Sequence, residues 1–68
     1  MSTVKVVELI GTSTKSWEDA AASAIEEAAE TVKGITGLEV SSQTARVKDN
    51  KIVEYRTTVK IAFLVERT

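Results

Sequence analysis

Apolar residues recur along this chain with two different periods, and the change of period divides it into elements. Val4, Val6, Val7, Leu9 and Ile10 form an apolar run that reads as a strand, and Gly11 is expected to break it. From Trp17 the residues Trp17, Ala20, Ala21, Ala24, Ile25, Ala28, Val32 and Ile35 fall at steps of three and four, the stripe of an amphipathic helix. Glu18, Ser23, Glu26, Glu30 and Lys33 lie on the opposite side. Four of the stripe residues are Ala, so the helix backbone can approach its support closely, and a sheet is the natural partner. Ser16 stands three residues before Asp19, the spacing in which a hydroxyl and a carboxylate satisfy the free amides of a helix start. Glu18 and Asp19 place negative charge where the helix dipole favours it. The pattern predicts a helix from Trp17 to Lys33, stopped by Gly34 and Gly37.

From Leu38 the period becomes two. Strands are predicted over Leu38 to Lys48 and Lys51 to Arg67, joined by a tight turn at Asp49-Asn50, residues that tolerate positive φ. Val53, Tyr55, Thr57, Val59, Ile61, Phe63 and Val65 share one face of the last strand, and Glu54, Arg56, Thr58 and Lys60 the other. With that turn, Val47 faces Ile52, Gln43 faces Arg56, Ser41 faces Thr58, Glu39 faces Lys60, Val40 faces Val59 and Leu38 faces Ile61. Glu39 opposite Lys60 would form a cross-strand charge pair, and a bulge would shift one half of the hairpin against the other. The order β-α-β-β gives an α+β class. The first strand must join the same sheet, because a lone hairpin with one helix is barely stable. That strand is apolar on both faces, with Val4, Val6 and Ile10 on one and Val7 and Leu9 on the other. One helix covers only one face, so a neighbouring subunit is expected to cover the other.

Size sharpens that expectation. At 68 residues the chain makes one domain, 1–68, too small for a comfortable core without staples or partners. Cys is absent, so disulfides and thiolate sites are excluded, and the absence of His removes the commonest general base and metal ligand. The net charge of −1 leaves no basic footprint for nucleic acid. No apolar stretch approaches the ~20 residues of a membrane span, and no signal-peptide layout opens the chain, so a cytoplasmic protein is expected.

The ordered set of pieces resembles the dodecin family: Val-Glu-Leu-Ile-Gly-Thr-Ser at 7–13, Ser16-Trp17-Glu18-Asp19-Ala20-Ala21, Glu39-Val40, and Glu54-Tyr55-Arg56 running to Phe63. The resemblance implies a three-stranded antiparallel sheet partly wrapped around one helix, assembled as a hollow homododecamer of tetrahedral symmetry. Flavin-binding members store riboflavin, FMN or FAD; a Trp after the helix stacks on the isoalloxazine ring and a Gln in the last strand bonds its edge. Those positions here are Gly37 and Arg56. Gly37 has no side chain to stack, and Arg56 only donates where Gln both donates and accepts. Trp17 belongs to the helix stripe and is not that platform. The chain is similar to the subgroup lacking the flavin Trp, some of which is associated with calcium, and shares Tyr55-Arg56 and Ser16-Trp17-Glu18 with it.

In the register above, Arg56, Gln43, Glu39, Thr58 and Lys60 cluster on the polar sheet face. They read either as a surface touching a ligand or ion, with Gly37 beside them, or as a hydrated face held by Glu39 and Lys60. Arg56 suits a carboxylate or phosphate held by two bonds, or an inter-subunit salt bridge. Calcium needs several oxygens. No EF-hand loop is present, but an acidic residue repeated about a three-fold axis supplies three carboxylates, and Glu8, Glu26, Glu27, Glu30, Glu39 and Glu54 are all eligible. No metal-binding set is selected among them. Catalysis is not expected: Thr12, Ser13 and Ser16 lack an activating His or Lys, and Gly34-Ile35-Thr36-Gly37 follows a helix instead of opening one. The expected protein is a non-catalytic homododecamer that binds or stores a small ligand or ion, with a degenerate flavin site; the alternatives are a working flavin store and a calcium-binding dodecin.

Overall fold

A computed structural model describes residues 3–65. Its elements are β1 (Thr3–Ser13), α1 (Trp17–Ala28), β2 (Ile35–Lys48) and β3 (Lys51–Val65). They form a three-stranded antiparallel sheet in the order β1-β3-β2, with α1 across one face against β1 and β3. The α+β class and the element order agree with the sequence reading. Residues 66 and 67, the expected end of the last strand, lie outside the described residues.

Gly11 does not break the first strand. β1 runs on to Ser13, and Gly11 pairs with Thr57 in mid-ladder. Its role is close approach: a Cβ there would overlap the Ala20 carbonyl oxygen and lie 3.1 Å from the Ala24 Cβ. The alanine stripe therefore seats α1 almost on the strand backbone. Ala20, Ala24, Ala28, Val59 and Ile61 are buried, and Val7, Leu9, Ala21, Ile25, Ile35 and Leu38 pack around them.

The helix begins where expected and ends five residues before Lys33. Ser16 Oγ accepts from the Asp19 amide at 3.0 Å. The Asp19 carboxylate accepts instead from Ser13 Oγ at 2.6 Å, and that oxygen accepts in turn from the Lys15 amide. Past Ala28 the amides of Glu30 and Thr31 bond three residues back, to Glu27 and Ala28, a tightened last turn. Thr31 and Val32 are β-branched and favour leaving the helix. The chain must then cross to the far edge of the sheet, where Ile35 meets Phe63. Val32 and Ile35 continue the helical spacing but lie in the crossing and in β2. Gly34 takes φ 77° in that crossing, and Gly37 is a strand residue, neither of them a helix stop.

Asp49 and Asn50 have φ 53° and 64°, the left-handed pair of a two-residue hairpin turn. Next to the turn Val47 pairs with Ile52, and at the far end Leu38, Glu39 and Val40 pair with Ile61, Lys60 and Val59, all as expected. Between these ends the register is displaced by one residue. A shift between Arg46 and Val47 leaves Val53 unpaired on β3, and a second between Val40 and Ser42 leaves Ser41 unpaired on β2. The two bulges cancel. Inside them Ser42 faces Thr58, Gln43 faces Thr57 and Thr44 faces Arg56, so the expected Gln43–Arg56 and Ser41–Thr58 pairs do not form.

The molecule is a long slab of 54 × 20 × 12 Å with a radius of gyration of 14.1 Å, against about 11 Å for a compact chain of this length. Its accessible surface of 5303 Å² exceeds the about 4200 Å² of a compact monomer of this mass. The excess is partly apolar: Val4, Val6 and Ile10 on the uncovered sheet face are 54%, 54% and 62% exposed.

Candidate functional site

The sheet face away from α1 carries the candidate polar residues. Strand alternation places Thr58, Arg56 and Lys60 on it, because Thr57, Val59 and Ile61 point under the helix and are buried. Gly37 joins this face opposite Ala62, and Glu39 opposite Lys60. Gln43 does not. Its partner Thr57 donates from Oγ1 to the Trp17 carbonyl at 2.8 Å, so Gln43 lies on the helix side of the sheet. The expected cluster keeps Gly37, Glu39, Arg56, Thr58 and Lys60, loses Gln43, and gains Thr44 opposite Arg56 and Ser42 opposite Thr58.

Three rungs cross the whole sheet here. Thr12, Arg56 and Thr44 lie side by side, as do Ile10, Thr58 and Ser42, and then Glu8, Lys60 and Glu39. Lys60 thus stands between two carboxylates. No ion pair forms on that rung among the described residues, where Arg56–Glu54 is the one salt bridge. Glu39 and Lys60 are both exposed, and exposed charges gain little by contact over hydration. Arg56 Nε donates to Glu54 Oε1 at 2.9 Å, with the side chains 45% and 28% exposed. Neighbours two apart on a strand share a face, so Glu54 offsets the arginine charge locally. The terminal guanidinium nitrogens keep their donors for another acceptor.

Gly37 is open. A Cβ placed on it would meet nothing within 4 Å. Gly37 and Arg56, the residues expected at the flavin position from the resemblance, therefore supply space without a stacking surface and do not fit ring stacking. Calcium meets a different shortfall. Among the described residues no group of three or more acidic side chains converges, so a calcium site built from carboxylates alone would draw on more than one chain.

Two features lay outside the sequence expectation. Trp17 meets Tyr55 edge to face, with ring centroids 4.8 Å apart and planes at 79°. Its Nε1 donates to the Thr44 carbonyl at 2.9 Å, which ties the helix start to the edge strand. Beyond the end of α1 a groove of about 340 Å³ opens against β1. Val7, Leu9, Ala28 and Val32 line it together with Glu27, Glu30 and Thr31. The usable signal was Val32 and Thr31, β-branched residues at the end of a stripe otherwise rich in Ala.

The architecture defines a small sheet-on-helix protein of β-α-β-β order with most of the candidate polar residues on the uncovered sheet surface. The family model described as Dodecin matches residues 3–66, and the chain belongs to the dodecin family. A calcium dodecin of Mycobacterium tuberculosis (strain ATCC 25618 / H37Rv) is 38% identical over 63 residues, which cover 93% of this chain and 89% of that protein. The crystal structure of a calcium dodecin from Mycobacterium tuberculosis, described as a calcium chelating immunodominant antigen with a novel calcium-binding site, superposes with TM-score 0.83 at 34% identity, covering 98% of this chain and 96% of that one. The tt0972 protein of Thermus thermophilus superposes with TM-score 0.95 at 28% identity over the full length of both chains. No helix among the described residues is long and apolar enough to cross a membrane.

Proposed function

We propose that this chain is a non-catalytic binding and storage protein, one domain over residues 1–68, that works as a hollow homododecamer in the cytoplasm and holds an ion, with calcium the favoured one. The observation that carries this is the open Gly37 position: where a flavin store stacks its ring, this chain offers no surface within 4 Å of a Cβ. Arg56, held by Glu54, supplies donors and no acceptor to a flavin edge. The relative at 38% identity is named for calcium, which favours an ion over a flavin. Calcium takes six to eight oxygens, and no three carboxylates converge among the described residues. Carboxylates contributed by several copies about a symmetry axis meet that requirement, with Glu8 and Glu39 on the sheet face as donors. Self-association is supported independently by the surface excess and by the exposed Val4, Val6 and Ile10.

Calorimetric titration with calcium, melting curves with and without it, and riboflavin fluorescence test this together. Calcium is expected to release or absorb heat and raise the melting temperature, while riboflavin stays unquenched. A yellow preparation that quenches added riboflavin establishes the flavin store instead. Absence of both a calcium heat and a melting shift removes the calcium reading.

A further inference from the structure

The hairpin has a free end. β1 pairs with β3 no further than Ser13 opposite Tyr55, so residues 46–54 extend past the first strand as two strands and a turn. No helix covers them, because α1 starts at Trp17, beside Tyr55, and runs away from the tip. Val47, Ile52 and Val53 on this overhang are 66%, 48% and 37% exposed. Arg46, Lys48 and Lys51 are interspersed with them, and of the two acidic residues there, Asp49 lies in the turn and Glu54 is paired with Arg56.

The groove past α1 is the complement of that tip. Val7, Leu9, Ala28 and Val32 give it an apolar lining of comparable character, and Glu27 and Glu30 line it too. The last turn of α1 contains no basic residue, so the negative end of the helix dipole is left uncompensated there. Among the described residues neither glutamate makes an ion pair. The groove residues Val7 and Leu9 pair with Ile61 and Val59, eight to ten residues along β3 from Lys51. At about 3.3 Å per residue the two features lie roughly 30 Å apart. A chain cannot reach its own groove with its own tip.

We infer that the hairpin tip of one copy docks in the groove of the next, with Val47, Ile52 and Val53 on the apolar lining and Lys48 and Lys51 against Glu27 and Glu30. The occupant is a second copy of this chain, identified by charge and apolar complementarity and by the surface a solitary slab leaves uncovered. The contact is head-to-tail, each copy giving a tip and receiving one, and such contacts close into rings when the rotation permits. It rests on the self-association proposed above and specifies the surfaces that perform it.

The chain has no Cys, which gives a clean background for cross-linking. The double variant Thr31→Cys with Lys48→Cys, oxidised at micromolar concentration, is expected to give a ladder of linked dimers, trimers and higher species on a non-reducing denaturing gel. Each single variant gives dimers at most. In the assembled Thr31→Cys protein the thiol is expected to react with a maleimide at least tenfold more slowly than in the unfolded chain. Glu27→Lys with Glu30→Lys is expected to raise the dissociation constant of the assembly at least tenfold, and adding Lys48→Glu with Lys51→Glu to restore it. Light scattering separates the two levels of failure. A monomeric wild type overturns both the shell and this contact. An assembled wild type with no ladder, an open Thr31→Cys thiol, or an unchanged mass after charge reversal overturns the contact alone and assigns the groove to another occupant.

Discussion

Replacing Gly11 by alanine probes how tightly the helix sits on the sheet. Gly11 is buried, and a Cβ there would overlap the Ala20 carbonyl oxygen, with the carbonyl carbon at 2.9 Å and Ala24 Cβ at 3.1 Å. The obstacle is helix backbone, which has no rotamer to change, so relief requires α1 to lift from β1 as a body. Lifting opens the contacts of Ala20, Ala24, Val59 and Ile61, each at most 4% exposed. Overpacking a close-packed core costs about 1–3 kcal/mol, and more on occasion. A backbone obstacle puts Gly11→Ala at or above ~3 kcal/mol on that scale. For a domain of this size each kcal/mol lowers the melting midpoint by about 4–8 °C, so the expected loss is about 12–24 °C.

The other two glycines are built-in controls. Gly37 has open space around it, and Gly37→Ala should stay within about 0.5 kcal/mol of the parent. Gly34 has room but a φ of 77°, where a side chain costs about 1–2 kcal/mol. Far-ultraviolet circular dichroism melts, all at one protein concentration because assembly ties the midpoint to concentration, should rank Gly11→Ala as most damaging, then Gly34→Ala, then Gly37→Ala. A Gly11→Ala melt overlaying that of the parent, or a Gly37→Ala protein less stable than Gly11→Ala, refutes the close seating of α1 on β1.

Ser16→Ala removes the oxygen that accepts from the Asp19 amide and should cost about 1 kcal/mol, read as a lower urea midpoint at unchanged slope. Thr57→Val keeps the buried shape and deletes the bond to the Trp17 carbonyl; a loss of about 0.5–1.5 kcal/mol is expected, and a more stable variant would show that bond to be dispensable. Gly37→Trp with Arg56→Gln places a platform in the open space and an edge acceptor beside it. Riboflavin quenching absent from the parent should appear in this double variant, and its continued absence would mean that the flavin site lacks more than these side chains.

Most of the fold was legible because period two and period 3.6 leave different traces, and the Ser16–Asp19 and Asp49–Asn50 signals mark their ends chemically. What escaped was written in geometry that single residues do not announce. Ser41 and Val53 form two of the three irregularities in the β2–β3 pairing, the third lying between Ile35 and Gly37; neither is a glycine or proline, so nothing in the sequence marks their slip. These two bulges cancel, so the pairs at both ends agree with a straight hairpin while the middle does not. Gln43 is displaced to the helix side for that reason alone. The helix end was hidden by Val32 and Ile35, which keep the stripe spacing after the helix has stopped: Val32 lines the groove beside Val7 and Leu9, and Ile35 packs against the core from β2. Gly11 misleads in the opposite way: a glycine inside a strand reads as a break until the helix above it is seen.

Under the proposed function, ion binding and assembly are one equilibrium. A carboxylate on one chain gives two oxygens, and three copies about an axis give six, the lower limit for calcium. The ion then binds only the assembled particle, and an ion that binds one state alone stabilises it by about 2.7 kcal/mol when its free concentration is a hundred times its dissociation constant. Calcium should therefore raise the melting temperature of the assembled protein and lower the concentration at which it dissociates, both reversed by a chelator. In the parent protein diluted until light scattering shows a monomer, the calcium shift should vanish, with every candidate carboxylate left in place. A monomer that still gains stability from calcium would locate the ion within a single chain and overturn the shared-carboxylate site.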